Sequence, residues 1–261
     1  MDHHLLEGCA HENALRDVSP QLKLVLGLGL MVIALAARSP GALLLVFLAA
    51  LGLSLGAARI PPGLYFRVLA VPAGFVLVSS ALLVVLTQGG PAYASLDLAA
   101  IHVAVTRDGL ALGLTQTLRT FAGMAALLFV AMTTPMISLF ASAVRLGVPV
   151  VIVDLAMLIY RFIFVLLDEA ATVLDAQTSR LAYGRPRGAI RAFSMLAGAV
   201  FLRAWQSADE LVLAMDARCY DGRLELETDR PPLRMRHTLG AVAVLVPLLA
   251  AVLFWPGGGL T

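Results

Sequence analysis

Two short stretches stand out for the chemistry they could do at a surface: Ser179-Arg180-Leu181 and Ala217-Arg218-Cys219. In each, an arginine follows a small residue at the end of a long segment with helical periodicity. A guanidinium is planar, always charged and carries a fork of N–H donors. It therefore grips carboxylates and helix C-termini at interfaces in a way a lysine does not. Ala156, Tyr160, Ile163, Leu167, Ala170, Leu174 and Gln177 lead to the first arginine in steps of three and four. Ala197, Phe201, Ala204, Ala208, Leu211 and Met215 lead to the second, and one more step of three lands on Arg218. The plainer reading of either arginine is a cation at a helix C-terminus, worth about 0.3–1 kcal/mol against the helix dipole. A matched pair at the ends of two helices favours docking to a partner.

A second pattern supports those helices. Asp154, Arg161, Asp168 and Asp175 recur every seventh residue, nearly two helical turns, and so share one face. Two of them fall within the apolar stretch 148–167. An Asp or Arg at the centre of a membrane helix costs about 2.5–3.5 kcal/mol. The stretch is therefore expected to lie in the membrane interface or to pack on the cytoplasmic side, rather than to cross.

Other chemistry is thin. Asp2, His3, His4, Cys9 and His11 crowd the N-terminus without a fixed ligand spacing, so no metal site is assigned there. The two cysteines, Cys9 and Cys219, make neither a disulfide framework nor a zinc site. His102 falls in a loop expected to be external, and His237 at the mouth of the last apolar segment. No Gly-x-x-x-x-Gly-Lys-Ser/Thr appears, so ATP is not expected to bind through a P-loop of this chain. No serine or cysteine has a recognisable activating partner. The chain reads as no enzyme and as binding no cofactor.

The elements that carry these residues sit in an oily chain. Of 261 residues, 60% are hydrophobic and 14% charged, with net charge +2. The mean hydropathy is +0.89. Soluble domains are nearer half apolar and a quarter charged. An all-α integral membrane protein is expected, since lipid leaves backbone polar groups unsatisfied outside helices and closed barrels. No short apolar core with a small-residue cleavage site opens the chain, so the first apolar segment is expected to persist.

The apolar runs predict five spans: 22–37, 42–58, 68–86, one within 109–134, and 237–254. Pro- and Gly-rich breaks separate them, among them Arg38-Ser39-Pro40-Gly41 and Ile60-Pro61-Pro62-Gly63. Residues 92–108 read as a polar loop. With the N-terminus inside, Arg16, Lys23, Arg59, Arg67 and all arginines from Arg145 to Arg236 are cytoplasmic, as the positive-inside rule prefers. Arg38 and Arg107 fall outside, and Arg119 lies within the fourth span. The expected organisation is a cytoplasmic segment 1–21, a four-helix membrane region 22–134, a cytoplasmic domain of amphipathic helices 138–236 and a last span 237–255. The cytoplasmic domain mixes both signs of charge, which suits protein contact and not nucleic acid. Gly27, Gly29, Gly109, Gly113 and Gly123 are expected to let helices approach closely.

This order of features resembles the transmembrane (T) component of energy-coupling factor transporters, of the CbiQ type found in cobalt uptake. Ser19-Pro20-Gln21-Leu22-Lys23-Leu24 is similar to the family's opening segment. Tyr160-Arg161-Phe162 followed by Leu167-Asp168-Glu169 resembles its long coupling helix. The family's two Ala-Arg-Gly signatures fall on Ser179-Arg180-Leu181 and Ala217-Arg218-Cys219, which keep the arginines and lack the glycines. If those glycines shape the helix ends, Gly184 and Gly222 are the replacements to expect here.

The resemblance implies a non-catalytic subunit in the bacterial inner membrane with its N-terminus and coupling domain cytoplasmic. Its implied partners are CbiO-like ATPase subunits, which use the ATP and Mg, a CbiM-like substrate-binding membrane subunit, a small CbiN-like accessory subunit, and lipid. Coupling helices would seat Arg180 and Arg218, with Ser179, Ala217 and Cys219 around them, in the ATPases. Asp154, Arg161, Asp168, Asp175, Leu211 and Met215 would support those helices. Cobalt is the expected cargo, with nickel or a vitamin as alternatives. A self-contained secondary transporter is the competing class; it would want ionisable residues near the bilayer midplane, and Arg119 is the one buried-looking charge. A membrane enzyme ranks last, because no His, Asp or Glu cluster faces a common span.

Overall fold

The computed structural model describes residues 14–15, 18–87, 89, 91–98, 101–222 and 235–254. The chain is an integral membrane protein built of α-helices, with one short β-hairpin among the described residues. Its helices are α1 (Pro20–Ala36), α2 (Pro40–Gly52), α3 (Pro62–Leu86), α4 (Arg107–Thr133), α5 (Met136–Arg145), α6 (Val150–Ser179), α7 (Pro186–Ala217) and α8 (Met235–Phe254). It forms two compact units, Met1–Leu139 with Asp229–Thr261, and Phe140–Thr228. The N-terminal His/Cys cluster and residues 223–234 lie outside the described residues.

Local chemistry sets the helix starts. Proline opens α1, α2, α3 and α7, where its missing N–H would be unpaired anyway and its φ already suits a helix. Ser39 also caps α2, its Oγ accepting from Ala42 N at 3.3 Å. Thr106 does the same for α4 through Gly109 N at 3.1 Å. A short π-helix, Leu53–Ala57, continues α2.

In the first unit α4 is the central helix, packed by α1, α2 and α3. Ala122, Ala125 and Ala126 are buried on it against Leu30, Ala34, Leu43, Val46 and Ala50, small side chains that bring the backbones close. Phe47 and Phe121 meet edge to face at 6.3 Å. The glycines divide. A methyl on Gly27 would strike Val130, and one on Gly113 would strike Val84. One on Gly109 would lie 2.7 Å from the Val84 carbonyl oxygen, and one on Gly29 3.0 Å from Leu245. Gly123 faces open space. So four of the five serve close approach inside the unit. Ser80 and Thr117 stitch the same α3–α4 seam, with Thr117 Oγ1 donating to Ser80 Oγ at 2.6 Å and Ser80 Oγ to the Gly113 carbonyl at 3.0 Å.

Two cations lock α1 to α4. Lys23 Nζ, buried in the first turn of α1, donates to the Thr133 carbonyl at the end of α4 (2.9 Å). Arg119 Nη2, on α4, donates to the Ala37 carbonyl at the end of α1 (2.9 Å). Each cation meets the carbonyl end, and so the negative dipole end, of the other helix. Arg119, which the sequence marks as a buried-looking charge, thus has a structural partner.

Among the described residues, five helices are long and apolar enough to cross a membrane: Pro40–Ala57, Pro62–Leu86, Arg107–Thr133, Val150–Ser179 and Met235–Val252. The set differs from the expected one in two members. Pro20–Ala36 has 17 residues, about 25 Å of rise against a hydrocarbon core of ~30 Å. Val150–Ser179, set aside in the sequence reading, meets both criteria. Its polar stripe splits: Asp154 is buried, while Arg161, Asp168 and Asp175 are exposed.

The stretch read as a polar loop is an antiparallel hairpin, β1 (Ala92–Leu98) and β2 (Ile101–Thr106), with Leu98 opposite Ile101 and Ser95 opposite Ala104. Ile101, Val103 and Val105 alternate along β2 as branched residues do in a strand. That period of two was present in the sequence.

Candidate functional site

The second unit is built on α6 and α7, joined by the turn 180–185, with most of α5 beside them. Phe140 of α5 packs edge to face on Tyr160 at 6.0 Å, and Tyr160 on Phe164 at 5.1 Å. The inward face of α7 runs through Ala192, Leu196, Val200, Ala204, Ser207, Leu211 and Met215. Ala204, Leu211 and Met215 are as expected. Ala197, Phe201 and Ala208 are exposed instead, and so are Ile163, Leu167 and Leu174 on α6. Apolar residues lie on more than one side of both helices, so steps of three and four fit several stripes.

The two arginine-bearing ends are built alike. At the end of α6, Leu181 N donates to the Thr178 carbonyl (2.9 Å) and Ala182 N to the Gln177 carbonyl (3.1 Å). At the end of α7, Cys219 N donates to the Asp216 carbonyl (3.0 Å) and Tyr220 N to the Met215 carbonyl (3.1 Å). This is the Schellman pattern, with bonds closing six and four residues, and it requires a left-handed residue just past the cap. Leu181 (φ +56°) and Cys219 (φ +53°) occupy that place. α5 closes with the same pair of bonds, from Gly147 N and Val148 N, and there the left-handed residue is a glycine, Gly147 (φ +92°).

This overturns the expectation that Gly184 and Gly222 take over from missing glycines. The left-handed turn stays immediately after each arginine and is made by Leu181 and Cys219 themselves. Gly222 also has positive φ, but three residues further on. Both arginines are the cap residues, Arg180 at φ −90°, ψ 10° and Arg218 at φ −99°, ψ 14°. Both side chains are exposed, and neither guanidinium has a hydrogen-bond or ion-pair partner among the described residues. Ser179, Ala217 and Cys219 are exposed beside them. Ser179 Oγ turns back to the Asp175 carbonyl at 2.9 Å. α7 runs 32 residues from the turn that carries Arg180 to the end that carries Arg218, about 48 Å at ~1.5 Å per residue.

One residue was misjudged from the sequence. Gln177, counted as the last step of an apolar stripe, is a polar bridge. Its Nε2 donates to the Ala192 carbonyl on α7 at 3.0 Å, and its Oε1 accepts from Tyr183 OH at 2.6 Å. The available signal was an amide in an otherwise apolar series, one turn before a Tyr-Gly turn.

Among the described residues no three His, Cys, Asp or Glu side chains group as a metal site.

Long apolar helices in one unit, and long helices whose ends expose unpaired arginines in the other, define a multi-pass membrane protein with cations free to meet a partner. The chain belongs to the CbiQ family, described as cobalt transport protein, which it matches over residues 11–229. That makes it a T component of the energy-coupling factor type. It is 27% identical over 223 residues to the cobalt transport protein CbiQ of Salmonella typhimurium, covering 85% of this chain and 99% of that one. It is 34% identical over 254 residues to a Methanocorpusculum labreanum protein whose name describes a fused cobalt transport protein CbiMQ. There the match covers 97% of this chain but only 42% of the relative's length. The energy-coupling factor transporter transmembrane protein EcfT of Acidaminococcus fermentans is 30% identical over 222 residues, 80% of each chain.

Proposed function

We propose that this chain is the coupling subunit of an ATP-driven cobalt importer, and that Arg180 and Arg218 are its docking tips on two cytoplasmic ATPase subunits. The observation that carries the reading is the pair of like-built helix ends, each presenting an exposed, unpaired guanidinium, at the two ends of α7. An arginine held at a rigid cap loses little freedom on binding, and its fork suits a carboxylate or the carbonyls of a helix end. Two tips at opposite ends of a helix of 32 residues, about 48 Å long, suit a dimeric motor better than a single pocket does. When ATP closes the motor, the tips are displaced, and α6 and α7 carry the displacement to a substrate-binding membrane subunit. The chain itself does no chemistry; ATP and Mg belong to its partners.

In this reading the N-terminus and residues 138–236 face the cytoplasm of the cell membrane. α6 lies at the interface although its length would let it cross, because Arg161, Asp168 and Asp175 on its exposed face would each cost about 2.5–3.5 kcal/mol in hydrocarbon. A relative named for a CbiM–CbiQ fusion supports a CbiM-like substrate subunit as partner, and a CbiN-like accessory subunit fits the same assembly. Selectivity for cobalt resides in that substrate subunit.

The test is reconstitution with the ATPase and substrate subunits, with uptake of labelled cobalt and of nickel measured side by side. Arg180→Ala with Arg218→Ala is expected to abolish ATPase co-purification and uptake while the chain stays in the membrane. Undiminished uptake in the double variant sinks the docking assignment, and nickel uptake without cobalt uptake sinks the cargo.

A further inference from the structure

We propose that Gln177 is a positioning residue that fixes the Arg180 tip to α7, so that a displacement of Arg180 passes into α7 instead of being absorbed by the turn. This rests on the docking role proposed above.

Gln177 is tied at four points. Its backbone carbonyl accepts from Arg180 N at 3.2 Å and from Ala182 N at 3.1 Å, which are two of the bonds that shape the tip. Its side-chain Nε2 donates to the Ala192 carbonyl, on a buried residue two turns into α7. Its Oε1 accepts from the hydroxyl of Tyr183, which lies within the turn itself. One half-buried side chain thus joins the end of α6, the turn and the body of α7. Among the described residues no other side-chain hydrogen bond ties the turn 180–185 to α7, and backbone dihedrals are soft.

The other tip is built differently at this one place. Met215 holds the equivalent position at the end of α7, and its carbonyl accepts from Arg218 N and Tyr220 N, both at 3.1 Å. Its thioether has no donor and is a weak acceptor, so it cannot repeat the bridge. The two tips share a backbone shape and differ in how firmly they are tied to a second helix. Arg180 becomes the stiff contact and Arg218 the compliant one.

The experiment uses Gln177→Leu and Tyr183→Phe in the full chain, alone in lipid and reconstituted with its ATPase and substrate subunits. Amide hydrogen exchange at 180–184 is expected to quicken in the chain alone, by about tenfold for Gln177→Leu and less for Tyr183→Phe, in line with the loss of one or two hydrogen bonds. In the complex, co-purification of the ATPase and its hydrolysis rate are expected to hold. Substrate taken up per ATP hydrolysed is expected to fall about fivefold. Gln177→Glu keeps the acceptor for Tyr183 and loses the donor to Ala192, so its coupling ratio should lie between the two. Faster exchange with an unchanged coupling ratio overturns the proposal and leaves the docking reading intact. Unchanged exchange, or lost ATPase co-purification, overturns it as well. Retained ATPase co-purification in the Arg180→Ala, Arg218→Ala double variant instead refutes the docking reading beneath it.

Discussion

Leu181 and Cys219 hold the same left-handed backbone conformation, φ +56° and +53°, one residue past the arginine that caps each long helix of the second unit. Left-handed backbone costs an L-residue about 1–2 kcal/mol, and glycine escapes most of that cost. The helix end is therefore set by the hydrogen-bond pattern, and glycine is the easiest residue for it rather than a requirement. Both sites are exposed, so the side chains meet no packing penalty that would forbid them.

Cys219→Gly and Leu181→Gly are expected to stabilise the chain by about 0.5–1 kcal/mol each, the relief of strain less the entropy glycine adds to the unfolded state. Cys219→Val, branched at Cβ, is expected to destabilise it. Thermal unfolding of the purified chain measures both. A lower melting temperature for Cys219→Gly would contradict the geometry.

Lysine should not replace arginine at the tips. Arg180→Lys and Arg218→Lys keep the charge but lose the planar fork. Each is expected to weaken ATPase binding at least tenfold, since truncating an interface arginine costs about 2 kcal/mol or more. Titrating the ATPase against the chain in nanodiscs gives the affinity. Full affinity with lysine would show that charge alone suffices.

The reciprocal cations in the first unit carry stability. Lys23→Met removes the bond to the Thr133 carbonyl and Arg119→Met the bond to that of Ala37. Each is expected to cost about 1.5–3 kcal/mol, the worth of a hydrogen bond to a charged group. Equilibrium unfolding in mixed detergent reads this out. Because Lys23 ties the first turn of α1 to α4 and Arg119 ties its last carbonyl there, α1 should loosen first, seen as faster cleavage or exchange at 20–37.

Gly27→Ala and Gly113→Ala are expected to destabilise by about 1–3 kcal/mol through overpacking, against Val130 and Val84 respectively. Val130→Ala should rescue the first and Val84→Ala the second, each acting on its own glycine only. Gly123→Ala, with open space beside it, should be neutral. Crossed rescue would mean the contacts are misassigned.

Much of this was legible in the sequence. Length and hydropathy of the runs gave the membrane class, because the cost of exposed backbone in lipid leaves few alternatives. The first two spans were placed to within two residues of their starts at Pro20 and Pro40, while the third, read from 68, begins six residues earlier at Pro62; proline constrains its own φ wherever it stands. The arginines at matched helix ends were visible because capping is a local matter.

What tertiary structure decided depends on residues far apart in the chain. Periodicity shows that α7 has apolar faces; only packing against α6 selects Leu196 and Val200 over Ala197 and Phe201. Lys23 and Thr133 are 110 positions apart, and nothing local marks a lysine as the cap of another helix. Gln177 reads as one polar residue in an apolar stripe until Ala192 and Tyr183 close around it. The left-handed backbone at Leu181 and Cys219 runs against the preference of both residues. It is adopted because the helix-end hydrogen bonds at each site, taken together, outweigh the local cost.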